Sequence, residues 1–467
     1  MTLAQISSGS DIIRKFRRSK SGMAGVLLLL ALVLMSVYAA AAVPLESFRQ
    51  WNNPAIWIDL PKSAAPAWTN IGFGPKMPPH IILDKNAAQI TTPQSSPGGE
   101  KTEIHSYTID FNYDTFPADF MLLYSARYSD SPPVLQVDVL RPDGYNFQLY
   151  YTPLPQAQRD GSEHSGRIFS TDRTMATNLR SYSSLFSYAP DPLSPQVMVF
   201  SDLDEKKVLK GTYTIRETFL FFGPNGSVTD SGVILGGKVY GLMGTDDLRR
   251  DLSIGILWGA PVALFIGLTV AIAGVTIGLI YGVVAGYKGK RTDEGLMRIN
   301  DIFYALPPLP ILVILSVTIG TNLFLITGFL VIFGWASVAK VTRSIALQLK
   351  TMPYVEASKL MGQSDSKIIF RHIIPQLLPL TFATIAISVP GAILGEAVLS
   401  FLGLSDPSIP TWGQILHDAN EAGAASRGIW WWIVPPGIMI ALTGLGFVLV
   451  GNTLDAIVNP RSKRVLS

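Results

Sequence analysis

No cysteine occurs in the chain, so disulfides, thiolate metal sites and cysteine nucleophiles are excluded. Charge is scarce. Only 15% of the 467 residues are Asp, Glu, Lys or Arg, and 48% are hydrophobic; soluble domains carry about 25% charged residues. The net charge of +3 provides no basic excess for nucleic acid. Histidine is rare as well. His80, His105 and His164 are scattered without metal-ligand spacing, and solvent-facing side chains are expected for them. No G-x-x-x-x-G-K-S/T sequence is present. Gly289-Lys290 lacks both the upstream glycine and the following hydroxyl residue, so no cofactor site for ATP is expected on this chain.

Long apolar runs take the place of charge. Gly22–Val43 holds no charged residue and is long enough to cross about 30 Å of hydrocarbon. Leu252–Tyr287 is charge-free and longer than one span needs. An interfacial lead-in is therefore expected before a span over Pro261–Ala285. Ile302–Ala339 is charge-free and broken at Gly320-Thr321-Asn322, which predicts two spans joined by a tight turn. Leu380–Leu402 is a fifth span, with Glu396 the ionisable residue inside it. Trp430–Leu454 is a sixth, opened by three tryptophans suited to an interfacial belt.

Six spans put both termini on one side of the membrane. Four basic groups fall on that side: Arg14 to Lys20, Lys288 to Arg298, Lys350 to Arg371, and Arg461, Lys463 and Arg464. That side is therefore assigned as cytoplasmic. Arg249 and Arg250 fall outside, at the end of a long translocated segment where the charge bias is weak. The basic start followed by Ala39–Ala42 also fits a signal peptide, but the apolar run is longer than the usual h-region.

Between the first two spans, Pro44 to Asp251 must lie outside. The stretch to about Lys101 is rich in Pro, Gly and Asn and reads as irregular. Beyond it, Leu135, Val137 and Val139 alternate with polar residues. Pro142-Asp143-Gly144 supplies a turn, and Tyr145, Phe147, Leu149 and Tyr151 alternate again, predicting a hairpin. Tyr213 and Ile215 mark another strand. Together these predict an antiparallel, sandwich-like domain. Asn225-Gly226-Ser227 fits a glycosylation sequon and equally a turn.

The most informative segment is polar and basic, Tyr354–Pro379, between apolar runs. Helix–helix connections usually need about 2–8 residues, and this one is far longer. Ala357 and Ser358 are small enough to admit a partner surface. Gly362 permits the positive φ that ends a helix. Ser364 or Asp365 can cap a second short helix, with Pro375 and Pro379 marking the start of span five. Two readings fit: a docking element, or an amphipathic connector.

The segment resembles the EAA loop of ATP-binding-cassette (ABC) permeases at Glu356, Ala357, Gly362 and Pro375, with Ser358 replacing the second alanine. Other segments resemble the C-type permease of oligopeptide/dipeptide importers. They are Gly244-Thr245-Asp246 with Arg250-Asp251-Leu252-Ser253; Gly286-Tyr287 through Asp293-Glu294, Met297-Arg298 and Asp301 to Leu306-Pro307-Pro308; and Gly395-Glu396 through Gly403-Leu404 with Trp412-Gly413. The large outer region departs from that family, as does Asn452, where an aspartate is common.

The fold expected is an α-helical polytopic membrane protein with six transmembrane helices and an extracytoplasmic β-rich domain inserted between helices 1 and 2. Its divisions are 1–21 (basic cytoplasmic segment), 22–43 (first span), 44–243 (outer domain), 244–460 (permease core, including the loop 350–379) and 461–467 (cytoplasmic tail). The resemblance implies a non-enzymatic permease subunit in the cell membrane, with ATP-Mg on two partner ATPases, a paralogous permease and an extracytoplasmic substrate-binding protein. It implies ATPase coupling through Glu356, Ala357, Ser358 and Gly362. Short peptides are the implied substrate, with oligosaccharides as the alternative. A membrane-anchored receptor using the β-rich domain is the reading from another class, and six spans exceed what it needs. Glu396 either lines the pathway or is hydrogen-bonded near the outer end to the loop Ser405–Trp412. Pro307 and Pro308 form either a gating hinge or a simple helix start.

Overall fold

A computed structural model of the chain describes residues 9–72, 74–92, 101–128, 131–156, 163–223 and 226–458. Asn225 and the basic residues Arg461, Lys463 and Arg464 lie outside the described residues. Two compact units divide the chain: Asn53–Ser253, and a unit made of the residues up to Asn52 and from Ile254 onward.

The second unit is helical. Its main helices are α1 (Lys20–Ala42), α2 (Leu252–Lys288), α3 (Lys290–Ala305), α4 (Pro308–Ile319), α5 (Leu323–Leu349), α6 (Pro353–Leu360), α7 (Asp365–Phe401), α8 (Trp412–Glu421) and α9 (Trp430–Val458). Five of these are long and apolar enough to cross a membrane, and the count rises to six if the bent pair α3–α4 is one span. Exposed Leu27, Leu34 and Val37 along α1 suit a lipid surface rather than water.

Several boundaries differ from the sequence reading. The run read as a lead-in plus a span is one continuous helix, α2, of 37 residues with Pro261 inside it. The third run does not form a straight span. Gly289 turns the chain at φ 65° into α3, and α4 has only 12 residues, which at 1.5 Å each reach about 18 Å, short of the bilayer core. The two meet at 75° across Leu306-Pro307, where Leu306 and Pro307 are extended, as residues before proline must be. The turn at Gly320–Asn322 is as expected: Gly320 has φ 93°, and the Asn322 side chain caps α5 at the Leu325 amide, 2.8 Å away. However, α5 runs past Ala339 through Lys340 and Arg343 to Leu349.

Among the described residues, the unit Asn53–Ser253 holds nine strands: β1 (Ile81–Leu83), β2 (Gln89–Thr91), β3 (Lys101–Phe111), β4 (Asp119–Arg127), β5 (Val134–Leu140), β6 (Asn146–Pro153), β7 (Glu163–Phe169), β8 (Gly211–Phe221) and β9 (Ser227–Gly236). β1 and β2 are short paired strands inside the stretch expected to be irregular. One sheet has the order β1-β9-β4-β7 and the other β2-β3-β8-β5-β6, with every ladder antiparallel. Their inward faces share one core, with Tyr107, Val137, Phe147 and Phe219 from one sheet and Phe120, Leu122, Val233 and Leu235 from the other. The hairpin at Pro142-Asp143-Gly144 forms with Gly144 at φ 84°. It is anchored by buried Arg141, which donates to Asp143 Oδ2 at 2.6 Å and to the carbonyls of Met198, Val199 and Ser201.

His105 corrects the expectation of solvent-facing histidines. It lies on the inward face of β3, fully buried, with Nδ1 2.6 Å from Ser231 Oγ and Nε2 3.0 Å from Glu103 Oε1. The period-2 face assignment contains this information: His105 is in step with Tyr107 and Ile109.

Candidate functional site

The segment ahead of α2 is built around one buried ion pair. Gly244 turns at φ 73°, and Thr245 Oγ1 accepts from Ala64 N at 2.9 Å and donates to Pro61 O at 2.7 Å. Asp246 accepts the backbone amides of Leu248 and Arg250 and pairs with Arg250 Nε at 2.5 Å, both side chains being buried. Asp251 Oδ1 then accepts Ser253 N at 2.8 Å at the start of α2. Arg250 thus serves local structure.

Within the helical unit, α2 and α5 pack on glycine. Gly278, Gly282 and Gly286 recur every fourth residue, one face of a helix. A Cβ at Gly282 would stand 2.1 Å from Thr342 Oγ1 and 2.3 Å from the Ala339 carbonyl. One at Gly278 would stand 2.7 Å from the Trp335 carbonyl, and one at Gly286 2.7 Å from the Arg343 carbonyl. Backbones this close admit no side chain. Thr342 Oγ1 also donates across the contact to Gly278 O at 2.9 Å, a bond suited to membrane interiors. Read only for its length and lack of charge, the run does not disclose this stripe; the four-residue glycine spacing does.

The loop residues lie at one end of this pair. Pro353 opens α6, where a missing N–H costs nothing. Val355 and Ser358 face inward. Val355 joins an apolar core with Leu279 and Val283 of α2, Ala346 and Leu349 of α5, and Ile368 and Ile373 of α7. Ser358 Oγ bonds back to the Tyr354 carbonyl at 2.8 Å. Glu356, Ala357 and Lys359 are exposed, together with Leu360 at 88% and Met361 at 72%. Gly362 turns the chain at φ 75°. A Cβ there would meet nothing within 4 Å, so conformation alone requires glycine. The structure therefore places Glu356, Ala357 and Gly362 on one exposed element, with Ser358 on its seated side.

The second short helix expected in the loop is not separate. From Asp365 the chain runs straight into α7 through a π-helical turn at Ile369–Ile373, whose wider register accommodates the approach to Pro375. α7 continues through Pro379 and Pro390. Tyr287 at the end of α2 donates to Asp365 at 3.2 Å.

Glu396 is buried on α7, apart from this loop. Ser400 Oγ donates to its Oε1 at 2.6 Å, and Thr411 is a further hydrogen-bond partner. Beside it Trp412 donates to the Ile256 carbonyl at 3.0 Å with its ring against Gly259, and Gly413 lies against the Ala397 backbone. Pro307 and Pro308 sit at the α3–α4 bend, exposed. Two clefts, of about 260 and about 250 Å³, adjoin at Val275 and Ser388 between α2, α5 and α7. Ser337, Thr381, Thr384 and Ser388 supply hydroxyls, and among the described residues no charged group lines either cleft. Among the described residues no cluster of His, Asp and Glu is arranged for a metal.

Apolar helices of this length, packed on glycine against one another, make this a multi-pass helical membrane protein with a β-rich region preceding most of its helices. The chain belongs to the binding-protein-dependent transport permeases. Residues 274–464 match the family described as "Binding-protein-dependent transport system inner membrane component". The oligopeptide transport system permease protein OppC of Bacillus subtilis is 37% identical over 222 residues, covering 47% of this chain and 72% of the relative. The dipeptide transport system permease protein DppC of the same organism is 36% identical over 222 residues, covering 47% and 69%. OppC of Haemophilus influenzae is 34% identical over 226 residues, covering 48% and 71%. A solved chain of the MetNI methionine ABC transporter aligns over 43% of this chain and 96% of its own, at a TM-score of 0.35 and 19% identity.

Proposed function

We propose that this chain is one permease subunit of an ABC importer for short peptides, driven by separate ATPase subunits that dock on α6. The observation that carries the reading is the form of α6. It is a short helix seated by Val355 on three long helices, with Leu360 at its end and Met361 just after it left bare. An apolar tip on a polar loop is suited to insertion into another protein's groove. The peptide class rests on the names of the relatives.

In this reading α3 and α4 together count as one span, giving six, with both termini and α6 cytoplasmic and the β-rich unit an extracytoplasmic insertion between the first two spans. A paralogous permease completes the pathway, two ATPases bind ATP-Mg, and an extracytoplasmic binding protein delivers substrate. The hydroxyl-lined clefts between α2, α5 and α7 form part of the pathway wall. Uncharged hydroxyls can hydrogen-bond a peptide backbone without selecting side-chain charge. Movement of α6 passes directly to α2, α5 and α7 through their shared core, a rigid-body form of gating.

Gly362→Asp tests this. The substitution forces an L-residue into the left-handed region next to the docking helix, at a cost of about 1 kcal/mol or more. In mild-detergent purifications the unaltered chain is expected to bring down P-loop ATPases and a second permease, identified by mass spectrometry, and the variant to lose the ATPases while keeping the permease. Equal recovery of ATPases from both would contradict docking at α6.

A further inference from the structure

The coupling helix reaches α2, α5 and α7 through one apolar core, but α3 and α4 lie outside it. A different set of contacts ties α3 to α5. Buried Asn300 donates to the Ala336 carbonyl at 2.9 Å. Lys340 Nζ is 3.0 Å from Asp301 Oδ1 and 4.0 Å from the centre of the Tyr304 ring. Arg343 grips Asp293 with two parallel bonds, Nε to Oδ1 at 2.5 Å and Nη2 to Oδ2 at 2.6 Å. Residues 336, 340 and 343 lie on one face of α5. A few residues further along the same helix, Ala346 and Leu349 share the core with Val355 of α6.

We infer that the Asp293–Arg343 pair, supported by Lys340–Asp301, is the latch that carries movement of α6 through α5 into the bent pair α3–α4. The inference rests on the coupling reading above. Both bonds of a forked pair must stretch together when the helices part, so it fixes orientation as well as distance. Beyond the latch, α3 joins α4 at a 75° bend in which the Pro307 ring fixes one backbone angle, φ −74°. Asp293, Arg343, Lys340 and Asp301 are positioning residues.

The absence of cysteine allows site-specific spin labels. Labels at Val317→Cys on α4 and Phe382→Cys on α7, both exposed positions, report the distance between these helices in the assembled transporter. It is measured with and without ATP-Mg and vanadate. The expected result is a nucleotide-dependent shift in the distance distribution. Arg343→Asp should lose the shift while the ATPase subunits stay bound and continue basal ATP hydrolysis, and Asp293→Arg combined with Arg343→Asp should restore it. Arg343→Lys, which keeps the charge but loses the fork, should give an intermediate shift and guards against a reversal that fails to fold. Persistence of the full shift in Arg343→Asp, or failure of the double reversal to recover it with ATPases bound, overturns the latch. Absence of ATPases from the unaltered complex overturns the coupling reading itself.

Discussion

Gly282→Val should leave almost no correctly packed protein. The added Cβ would lie 2.1 Å from Thr342 Oγ1 and 2.3 Å from the Ala339 carbonyl. The hydroxyl can rotate away only by giving up its bond to the Gly278 carbonyl. The carbonyl belongs to helical backbone and cannot move without α5. Overpacking costs about 1–3 kcal/mol where side chains can yield, and a backbone obstacle puts this site at or above the top of that range. Because α2 and α5 also seat α6, loss of ATPase docking should accompany loss of packing. Gly334→Ala on α5 is the control, since nothing lies within 4 Å of its Cβ. Size-exclusion profiles and thermal unfolding in mild detergent should show Gly334→Ala unchanged and Gly282→Val aggregated or sharply destabilised. A monodisperse Gly282→Val with unaltered unfolding temperature would refute the close α2–α5 contact.

The second large effect belongs to the β-rich unit and depends on pH. Glu217 sits on the inward face of β8, fully buried, opposite His105 on β3 and Val137 on β5, and neither carboxylate oxygen has a hydrogen-bond partner. Burial drives its pKa well above the usual carboxylate range. A raised carboxylate pKa means that the folded state holds the proton more tightly than the unfolded chain. The associated stability is present in full below the ordinary value near 4.5 and is lost as pH rises through the folded value. Each unit of that shift is worth about 1.4 kcal/mol. Nearby Glu103 acts in the opposite sense. Burial raises it, but hydrogen bonds from His105 and the Val228 amide, with the charge of Lys101, hold it below the usual range. Glu217→Met keeps the length of the side chain and removes the unpaired polar group, which should stabilise the unit by about 1–3 kcal/mol. Thermal unfolding between pH 5 and 8 should show the two proteins diverging as pH rises, with Met the more stable. Parallel profiles over that window would show that Glu217 does not titrate in the core.

The helices are legible in the sequence because charge-free length is a direct requirement of the bilayer, and the strands are legible because alternation follows from the pleat. Boundaries go astray where tertiary contacts compensate for local signals. Pro261 looks like a helix breaker, yet α2 passes through it. Asp365 looks like the cap of a separate short helix, but the π-helical turn carries it into α7. The bend between α3 and α4 stays hidden because Pro307 and Pro308 mark a break without stating its angle. Polar residues on inward faces are hardest to read. His105 and Glu217 escape notice because scattered titratable residues are usually solvated, although each falls in step with its apolar neighbours.

Docking of an ATPase on α6 can be read out from a single cysteine. Ala357→Cys would be the sole thiol in the chain, on the exposed side of α6. It is modified with a benzophenone maleimide in native membranes and irradiated, with Glu205→Cys, exposed in the β-rich unit, as the reference position. An adduct containing a P-loop ATPase is expected at 357, and none at 205. Efficient photolabelling at 357 that yields only lipid or unrelated protein would contradict it.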